Sequence, residues 1–263
     1  MKVVVITGST RGIGYGLADS FLSLGCTVVV SGRTQAAVNQ AVSQLGIKYD
    51  HTLVFGVPCD ITVQEQVQEL WDTAKNHYGK VDIWINNAGI AHPQIESWQY
   101  PPDLVHQVVN TNIIGTINGS SVAMREMLGQ GFGSIYNIEG YGSNGRSMTM
   151  GLSLYGLTKA GLRFFNDTFM KEAEKTSVLV GAIQPGMVYT DLIKGQYRDR
   201  PAEFERVKGI FNIIAERPET VTPWIAMRIL TNDKNGVRIA YGSSLKIFGR
   251  FLTARFRPRQ VVE

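Results

Sequence analysis

The sequence predicts an α/β fold class: a doubly wound parallel sheet of seven strands with helices on both faces, built as a single domain. Two observations predict it. Short β-branched runs alternate with longer stretches of helical period, which is the sequence form of repeated βαβ units. The first of these runs leads directly into a glycine-rich turn, Thr7-Gly8-Ser9-Thr10-Arg11-Gly12-Ile13-Gly14, with a helical pattern behind it. Length and composition agree, since 263 residues with 44% hydrophobic and 18% charged side chains allow one large core and leave no room for a long disordered tract.

The first strand is Val3 to Ile6. Behind it Ile13, Leu17, Phe21 and Leu24 recur at helical spacing, and Gly25 stops that helix. The second strand, Thr27 to Val30, precedes a helix near 35–45, and the third, Leu53 to Val57, one near 62–78. Ile83 to Ile85 is followed by a long helix near 102–129, and Ser134 to Ile138 by one near 153–175. The sixth strand, Val178 to Ile183, breaks the rhythm. After Gly186 about fifty residues pass before the seventh strand, Val237 to Tyr241, with helical stretches near 201–215 and 219–231. An insertion of that length at the C-terminal edge of a parallel sheet reads as a substrate lid, spanning about 191–218. A packed helical pair with no binding role is the alternative.

Several function classes are set aside by composition. No segment that reads as a signal or transit peptide precedes the first strand, and no apolar run approaches the roughly 20 residues of a spanning helix, so a cytoplasmic location is expected. Cys26 and Cys59 lack metal-ligand spacing and read as small core residues. A net charge of +4, with no zinc-ligand set and no RNP-like aromatic motif, points away from nucleic acid, and no metal is expected. The basic excess is local: Lys246, Arg250, Arg255, Arg257 and Arg259 fall in the last eighteen residues. Within the segment 245–263 they interleave with Phe248, Phe251, Leu252 and Phe256, a pattern suited to peripheral contact with an anionic membrane, to a subunit interface or to covering a cleft.

The glycine turn has T-G-x-x-x-G-x-G spacing, in which Gly8, Gly12 and Gly14 let the chain turn sharply and a pyrophosphate approach the helix N-terminus. Here the sequence resembles the short-chain dehydrogenase/reductase family, with a Rossmann-like dinucleotide site. The second strand ends in Ser31-Gly32-Arg33, with no acid to hold a ribose 2′-hydroxyl, so Arg33 together with Arg11 suits a 2′-phosphate and the expected cofactor is NADPH/NADP+. The resemblance implies further cofactor residues. Asp60 and Ile61, in Cys59-Asp60-Ile61-Thr62, would meet the adenine. Asn87, Ala88 and Gly89 complete an N-N-A-G motif. Pro185-Gly186-Met187-Val188-Tyr189-Thr190 resembles the P-G-x-V-x-T segment, whose Val188 and Thr190 would hold the nicotinamide carboxamide. A homodimer or homotetramer is implied as well.

Tyr155-Gly156-Leu157-Thr158-Lys159 places a phenol and an ammonium at i and i+4, on one face of a helix. A phenol is a poor acid or base at neutral pH unless a neighbouring cation stabilises its anion, and Lys159 supplies one. By resemblance, Tyr155 protonates the carbonyl oxygen as hydride arrives, Lys159 also grips the ribose, and Asn112 supports the lysine through a water. The usual catalytic serine is missing. Where most members read N-I-S-S, this chain reads Asn137-Ile138-Glu139-Gly140-Tyr141-Gly142-Ser143-Asn144-Gly145, with Gly140 at the serine's distance from the strand. Ser143 is the nearest hydroxyl and the expected substitute, with Ser147, Ser153 or no side-chain donor as alternatives.

That segment resembles the N-M-D/E-G-x-G-S-x-G stretch of chlorophyll b reductases. Pro185 to Leu192 is similar to their P-G-M-V-x-T-D-L, and Phe211-Asn212-Ile213-Ile214-Ala215-Glu216-Arg217-Pro218-Glu219-Thr220 to their F-N-I-I-x-E-x-P-E-T. The resemblance implies reduction of the C7 formyl group of chlorophyll b, or its phytol-free form, to hydroxymethyl. Tyr189, Tyr197, Phe204 and Phe211 would line a wide apolar cleft, or else simply pack their own helices. A reductase for another bulky apolar aldehyde or ketone is the second reading. An NADP-binding sensor that lost its activity is the third, opposed by the retention of Tyr155, Lys159 and Asn112.

Overall fold

In the computed structural model, which describes residues 1–197, 200–242, 244–254 and 259–262, seven strands form one sheet. They are β1 (Val3–Ile6), β2 (Thr27–Gly32), β3 (Val54–Pro58), β4 (Ile83–Asn86), β5 (Gly133–Ile138), β6 (Val178–Gln184) and β7 (Arg238–Ala240). All pair in parallel, in the order β3-β2-β1-β4-β5-β6-β7. The order reverses between β1 and β4, and at such a switch point ligands bind beyond the carboxyl ends of the strands.

β1 and β2 are buried along their whole length, which is why they read as unbroken valine runs rather than as an alternation. Their side chains divide between two half-cores. Val4, Ile6, Val28 and Val30 face α1 (Gly12–Ser23), α2 (Gln35–Lys48) and α9 (Pro218–Leu230), meeting Leu17, Phe21, Leu45 and Ile225. Val5 and Val29 face the other way, toward α3 (Gln64–Tyr78), α5 (Gly115–Gln130) and α6 (Ser153–Ala173), meeting Leu70, Val122 and Phe169. Each fully buried valine contributes roughly 1.5–3 kcal/mol, so both layers are tied to the strands whose ends carry the site.

Three elements differ from expectation. The helix expected near 102–129 is α4 (Pro102–Val109) and α5 joined through a π turn, Asn110–Ile114, whose wider winding carries Asn112 inward. A short helix, α7 (Asp191–Gln196), follows β6 ahead of α8 (Pro201–Ile214). The C-terminal segment contains α10 (Ser244–Thr253). α7, α8 and the chain end share a small core of their own, in which Ile193, Phe211 and Ala215 meet Val261 and Val262.

Candidate active site

The residues predicted for the cofactor converge on the carboxyl ends of the strands. After β1 the loop turns at Gly8 (φ 61°) and Gly12 (φ 58°), in the left-handed region that glycine occupies freely. A Cβ on Gly8 would stand 2.7 Å from the Ala88 Cα, so the N-N-A-G segment is packed directly on the loop. Asn87 fastens the two: its Nδ2 donates to the carbonyls of Thr7 (2.9 Å) and Gly8 (2.8 Å), and its backbone N–H donates to the Thr7 hydroxyl (3.1 Å). The Ser9 hydroxyl is turned inward, donating to the Ile6 carbonyl at 2.6 Å and accepting from the Ser31 N–H at 2.9 Å. Ser9 therefore shapes the loop through its side chain and offers a ligand only its backbone. Thr10 lies against Gly32 and Ile13 packs on the core.

Arg33 is exposed at the end of β2, and Arg11, 3.9 Å from the Asp191 carboxylate, is largely solvent-facing. Ser31-Gly32-Arg33 carries no carboxylate that would repel a phosphate there. Beyond β3 the Asp60 carboxylate accepts from the N–H (2.9 Å) and hydroxyl (2.8 Å) of Thr62, closing a tight turn that seats Ile61 against Gly115. After β6, Pro185 is buried and Gly186 turns at φ 75°. Val188 is buried and bridges to Glu216, while Thr190 stands near Gly12 across the cleft. A cavity of about 600 Å³ opens there, lined by Gly12, Thr190, Asp191, Lys194 and Arg217 among others.

Tyr155 and Lys159 lie on the first turns of α6, both buried, with the ammonium 5.8 Å from the centre of the phenol ring. Lys159 Nζ donates to the Ile138 carbonyl at 3.3 Å, and the Tyr155 N–H donates to His92 Nε2, also at 3.3 Å. Burial pushes the Tyr155 hydroxyl up to about 12. It also brings the Lys159 ammonium down to about 8, with Glu139 acting in the opposite direction. At neutral pH Tyr155 is a neutral phenol, the form that gives a proton away. Asn112 is fully buried and bonds both ways to the loop after β4: its Oδ1 accepts from the Ile90 N–H (2.8 Å), and its Nδ2 donates to the Ile90 carbonyl (2.9 Å). The same Nδ2 donates to the Thr158 hydroxyl at 3.1 Å, next to Lys159 in the chain, and Gly89 lies close to both Asn112 and Lys159.

Of the candidate hydroxyls, Ser147 accepts from Asn144 Nδ2 at 3.1 Å, and Ser153 is held by Ser97 (2.7 Å) and Tyr100 (2.9 Å). Ser143 is buried in the turn after β5, its N–H bonded to the Gly140 carbonyl at 3.1 Å, and among the described residues its hydroxyl takes no hydrogen-bond partner. A Cβ on Gly140 would lie 2.6 Å from the Tyr155 hydroxyl.

Of the aromatic residues expected to line a cleft, Tyr189 borders the cavity beside Thr190, and all four also pack on one another. Tyr197 sits 5.6 Å from Phe204 and 5.9 Å from Phe211, ring centre to ring centre, and Phe204 lies 6.4 Å from Tyr189. They form the core of the 191–214 helices because a ring buries more apolar surface against another ring than against solvent.

The C-terminal arginines also differ from expectation. Arg250 and Arg259 turn inward to the carboxylate of Glu216, the latter at 2.5 Å, so neither is displayed as part of a basic surface. Arg255, Phe256 and Arg257 lie outside the described residues. Asn212 Oδ1 accepts the N–H groups of both Val261 and Val262 at 2.8 Å. The polar residues of Phe211 to Thr220 therefore fasten the chain end. Glu216 also accepts from the Tyr189 N–H through its backbone carbonyl (2.8 Å), tying the chain end to the Val188–Thr190 segment.

Glu139, directly after β5, is buried beside these residues, and a charge at the end of an apolar strand is the sequence signal that marks it. Among the described residues no helix is long and apolar enough to cross a membrane, and no cluster of His, Cys, Asp and Glu could hold a metal. Cys26 and Cys59 are buried, and burial raises both thiols, Cys59 to about 12.

The chain is similar to known proteins. The chain is 35% identical over 270 residues to "Probable chlorophyll(ide) b reductase NYC1, chloroplastic" of Oryza sativa subsp. japonica, across 97% of this chain and 52% of that protein. It is 33% identical over 279 residues to "Chlorophyll(ide) b reductase NOL, chloroplastic" of Arabidopsis thaliana, across 99% of this chain and 76% of that protein. The chain thus spans about half the length of the NYC1 relatives it matches. Among solved structures it superimposes on "ElxO with NADP Bound" with a TM-score of 0.78 and 25% identity, covering 91% of this chain and 97% of the other. Residues 2–201 match the family model for short chain dehydrogenases, a stretch that takes in the glycine loop, the switch-point crevice and the Tyr155–Lys159 pair, and the chain belongs to that family of oxidoreductases.

Proposed function

We propose that the chain is an NADPH-dependent carbonyl reductase whose substrate is chlorophyll b or chlorophyllide b, reduced at the C7 formyl group to 7-hydroxymethyl. The observation that carries this reading is the segment Asn137 to Gly145. There a glycine packed on the Tyr155 hydroxyl replaces the usual serine, as in the resemblance to chlorophyll b reductases, and the named relatives align over nearly the whole chain. The residues at the strand ends fit the cofactor. Glycines line the loop, Arg11 and Arg33 offer guanidinium groups suited to a 2′-phosphate, and the end of β2 has no acid.

When bound, the nicotinamide supplies a hydride to the formyl carbon. Tyr155, protonated at neutral pH, donates its proton to the formyl oxygen, and solvent restores the phenol afterwards. Lys159 contributes positive charge beside the developing alkoxide and the transient phenolate. Ser143, buried in the adjacent turn, supplies the second donor to that oxygen. Asn112 holds the π turn, the loop after β4 and the Lys159 turn of α6 in one register.

The 191–218 stretch acts as the lid in this reading, with its aromatics stiffening it from within. A homo-oligomer belongs to the reading too, because α6 leaves Leu157 and Phe164 exposed one heptad apart. Purified protein with NADPH and chlorophyllide b, followed by pigment absorbance and chromatography, tests the proposal. Formation of the 7-hydroxymethyl product supports it. Turnover of other apolar carbonyls without that product would assign the second substrate class, and NADP binding with no turnover would assign a sensor.

A further inference from the structure

Glu139 stands beside the catalytic residues but takes no part in the steps above. Its backbone N–H continues the β5–β6 ladder by donating to the Ile183 carbonyl at 2.8 Å, while its side chain is wholly buried. Three elements close on that carboxylate. Arg238 on β7 grips it with Nε at 3.1 Å from each oxygen and a terminal nitrogen at 2.9 Å. Gln184, at the end of β6, donates at 2.6 Å and Asn166 on α6 at 3.1 Å. Arg163 lies 4.0 Å away, and Asp167 balances both arginines, at 2.6 Å from Arg238 and 3.7 Å from Arg163.

This corner adjoins Lys159 directly. On α6 the residues Lys159, Arg163, Asn166 and Asp167 follow at i, i+4, i+7 and i+8, so one helix face carries them all. The lysine stem also runs along the backbone on both sides of Glu139. Its Nζ donates to the Ile138 carbonyl, and its Cε would meet a Cβ on Gly140 at 3.1 Å. A relay of buried amides extends from the same carboxylate through Asn166, Asn137 and Asn86, each step 2.8–3.1 Å, so the glutamate cannot shift without disturbing the strand ends.

Resting on the reading that Tyr155 and Lys159 perform the reduction, we propose that Glu139 is a positioning residue, a fixed buried carboxylate that keeps the Lys159 side chain charged and aimed. Burial alone disfavours the ammonium, and Glu139 is the neighbouring charge that opposes this. Arg238 and Arg163 moderate it, so the lysine feels a partly compensated carboxylate. The titratable groups facing the corner are Tyr155, Arg163 and Asp167 from α6, Glu139 directly after β5, Arg238 from β7, and His92 against the Tyr155 N–H.

The test uses the full chain and two substitutions of opposite sign. Glu139→Gln removes the negative charge and should move the Lys159 titration to lower pH, by on the order of one unit. Arg238→Gln removes the compensation and should move it upward. Two readouts are taken: the alkaline limb of kcat/KM for carbonyl reduction, and the titration of the Lys159 resonance in 13C-lysine-labelled protein, assigned with Lys159→Arg. The second needs no turnover, so a failure of the proposed reaction leaves this inference testable. Opposite shifts establish the role. Resonance and limb unmoved in both variants, with only a lower Tm, would overturn it and leave Glu139 a structural residue. If Glu139→Gln does not fold, the direction of the Arg238→Gln shift decides.

Discussion

Adding one carbon at position 140 tests the catalytic corner most directly. In Gly140→Ala the new Cβ would stand 2.6 Å from the Tyr155 hydroxyl oxygen and 3.1 Å from Lys159 Cε, where ordinary contacts begin at 3.4 Å. The phenol oxygen must then recede by about 0.8 Å. Tyr155 is buried, so its ring has no solvent to move into and the start of α6 must give instead. A displacement of about 1 Å from reacting geometry costs on the order of 100-fold in rate, or about 2.7 kcal/mol of barrier. Gly140 has no positive φ, so alanine adds no backbone strain and the loss comes from the contact. Steady-state reduction should show kcat down about 100-fold, with KM for NADPH little changed because the glycine loop is untouched. Gly140→Ser should fare as badly, although it restores a hydroxyl at the usual distance from the strand, because its Cβ makes the same collision. Wild-type kcat in Gly140→Ser, and above all rescue of a Ser143→Ala enzyme by that change, would refute the reasoning and return the second donor to position 140.

Other outcomes follow from the same geometry. Ser143→Ala should lower kcat on the order of 100-fold, as loss of a donor to the developing oxyanion does. Ser147→Ala and Ser153→Ala, whose hydroxyls are held by Asn144 and by Ser97 and Tyr100, should stay near wild type, and equal small losses in all three would defeat the assignment. The pH–rate profile for reduction should fall as pH rises through about 8, where the buried Lys159 loses its proton, while Tyr155, raised to about 12, stays protonated throughout. A profile flat through that range would contradict it. Arg33→Ala should raise KM for NADPH by about tenfold or more and leave that for NADH unchanged, since only the former carries the 2′-phosphate. Arg250→Ala with Arg259→Ala strips the buried Glu216 of two partners and should lower Tm by several degrees, read by calorimetry.

Much of this was legible because it is written locally. Each strand is a short β-branched run, since a sheet covered on both faces demands apolar side chains at every position. The glycine loop and the i, i+4 pair are likewise contiguous in sequence. What was not legible depends on partners remote in the chain. Four aromatics spread over this stretch look the same whether they line a cleft or pack together, and only the structure shows Tyr189 bordering the cavity while Tyr197 packs against Phe204 and Phe211. Arginines near a chain end look solvated until Glu216, more than thirty positions earlier, is found to hold two of them. The π turn at Asn112 answers to Ile90 and Thr158, which no local pattern reveals. Burial, finally, raises the Tyr155 hydroxyl, and the depth at which a helix start is buried is not written in its own residues.

The two sequence segments that set this chain apart from the general family pattern each place a buried glutamate at a seam. Glu139 sits within the stretch that matches the family model, and Glu216 lies after it. Both are clasped by arginines from the C-terminal quarter, Arg238 on the first and Arg250 and Arg259 on the second, and all three arginines lie beyond residue 201. The stretch that matches the family model carries Tyr155 and Lys159, while residues outside it grip that stretch on two sides: below the lysine through Glu139, and beside Val188–Thr190 through Glu216. A charged group buried in this way adds little stability over a well-packed apolar substitute, but removing one partner is costly. Changes in the C-terminal arginines should therefore reach the chemistry without touching substrate, through the two carboxylates they hold in place.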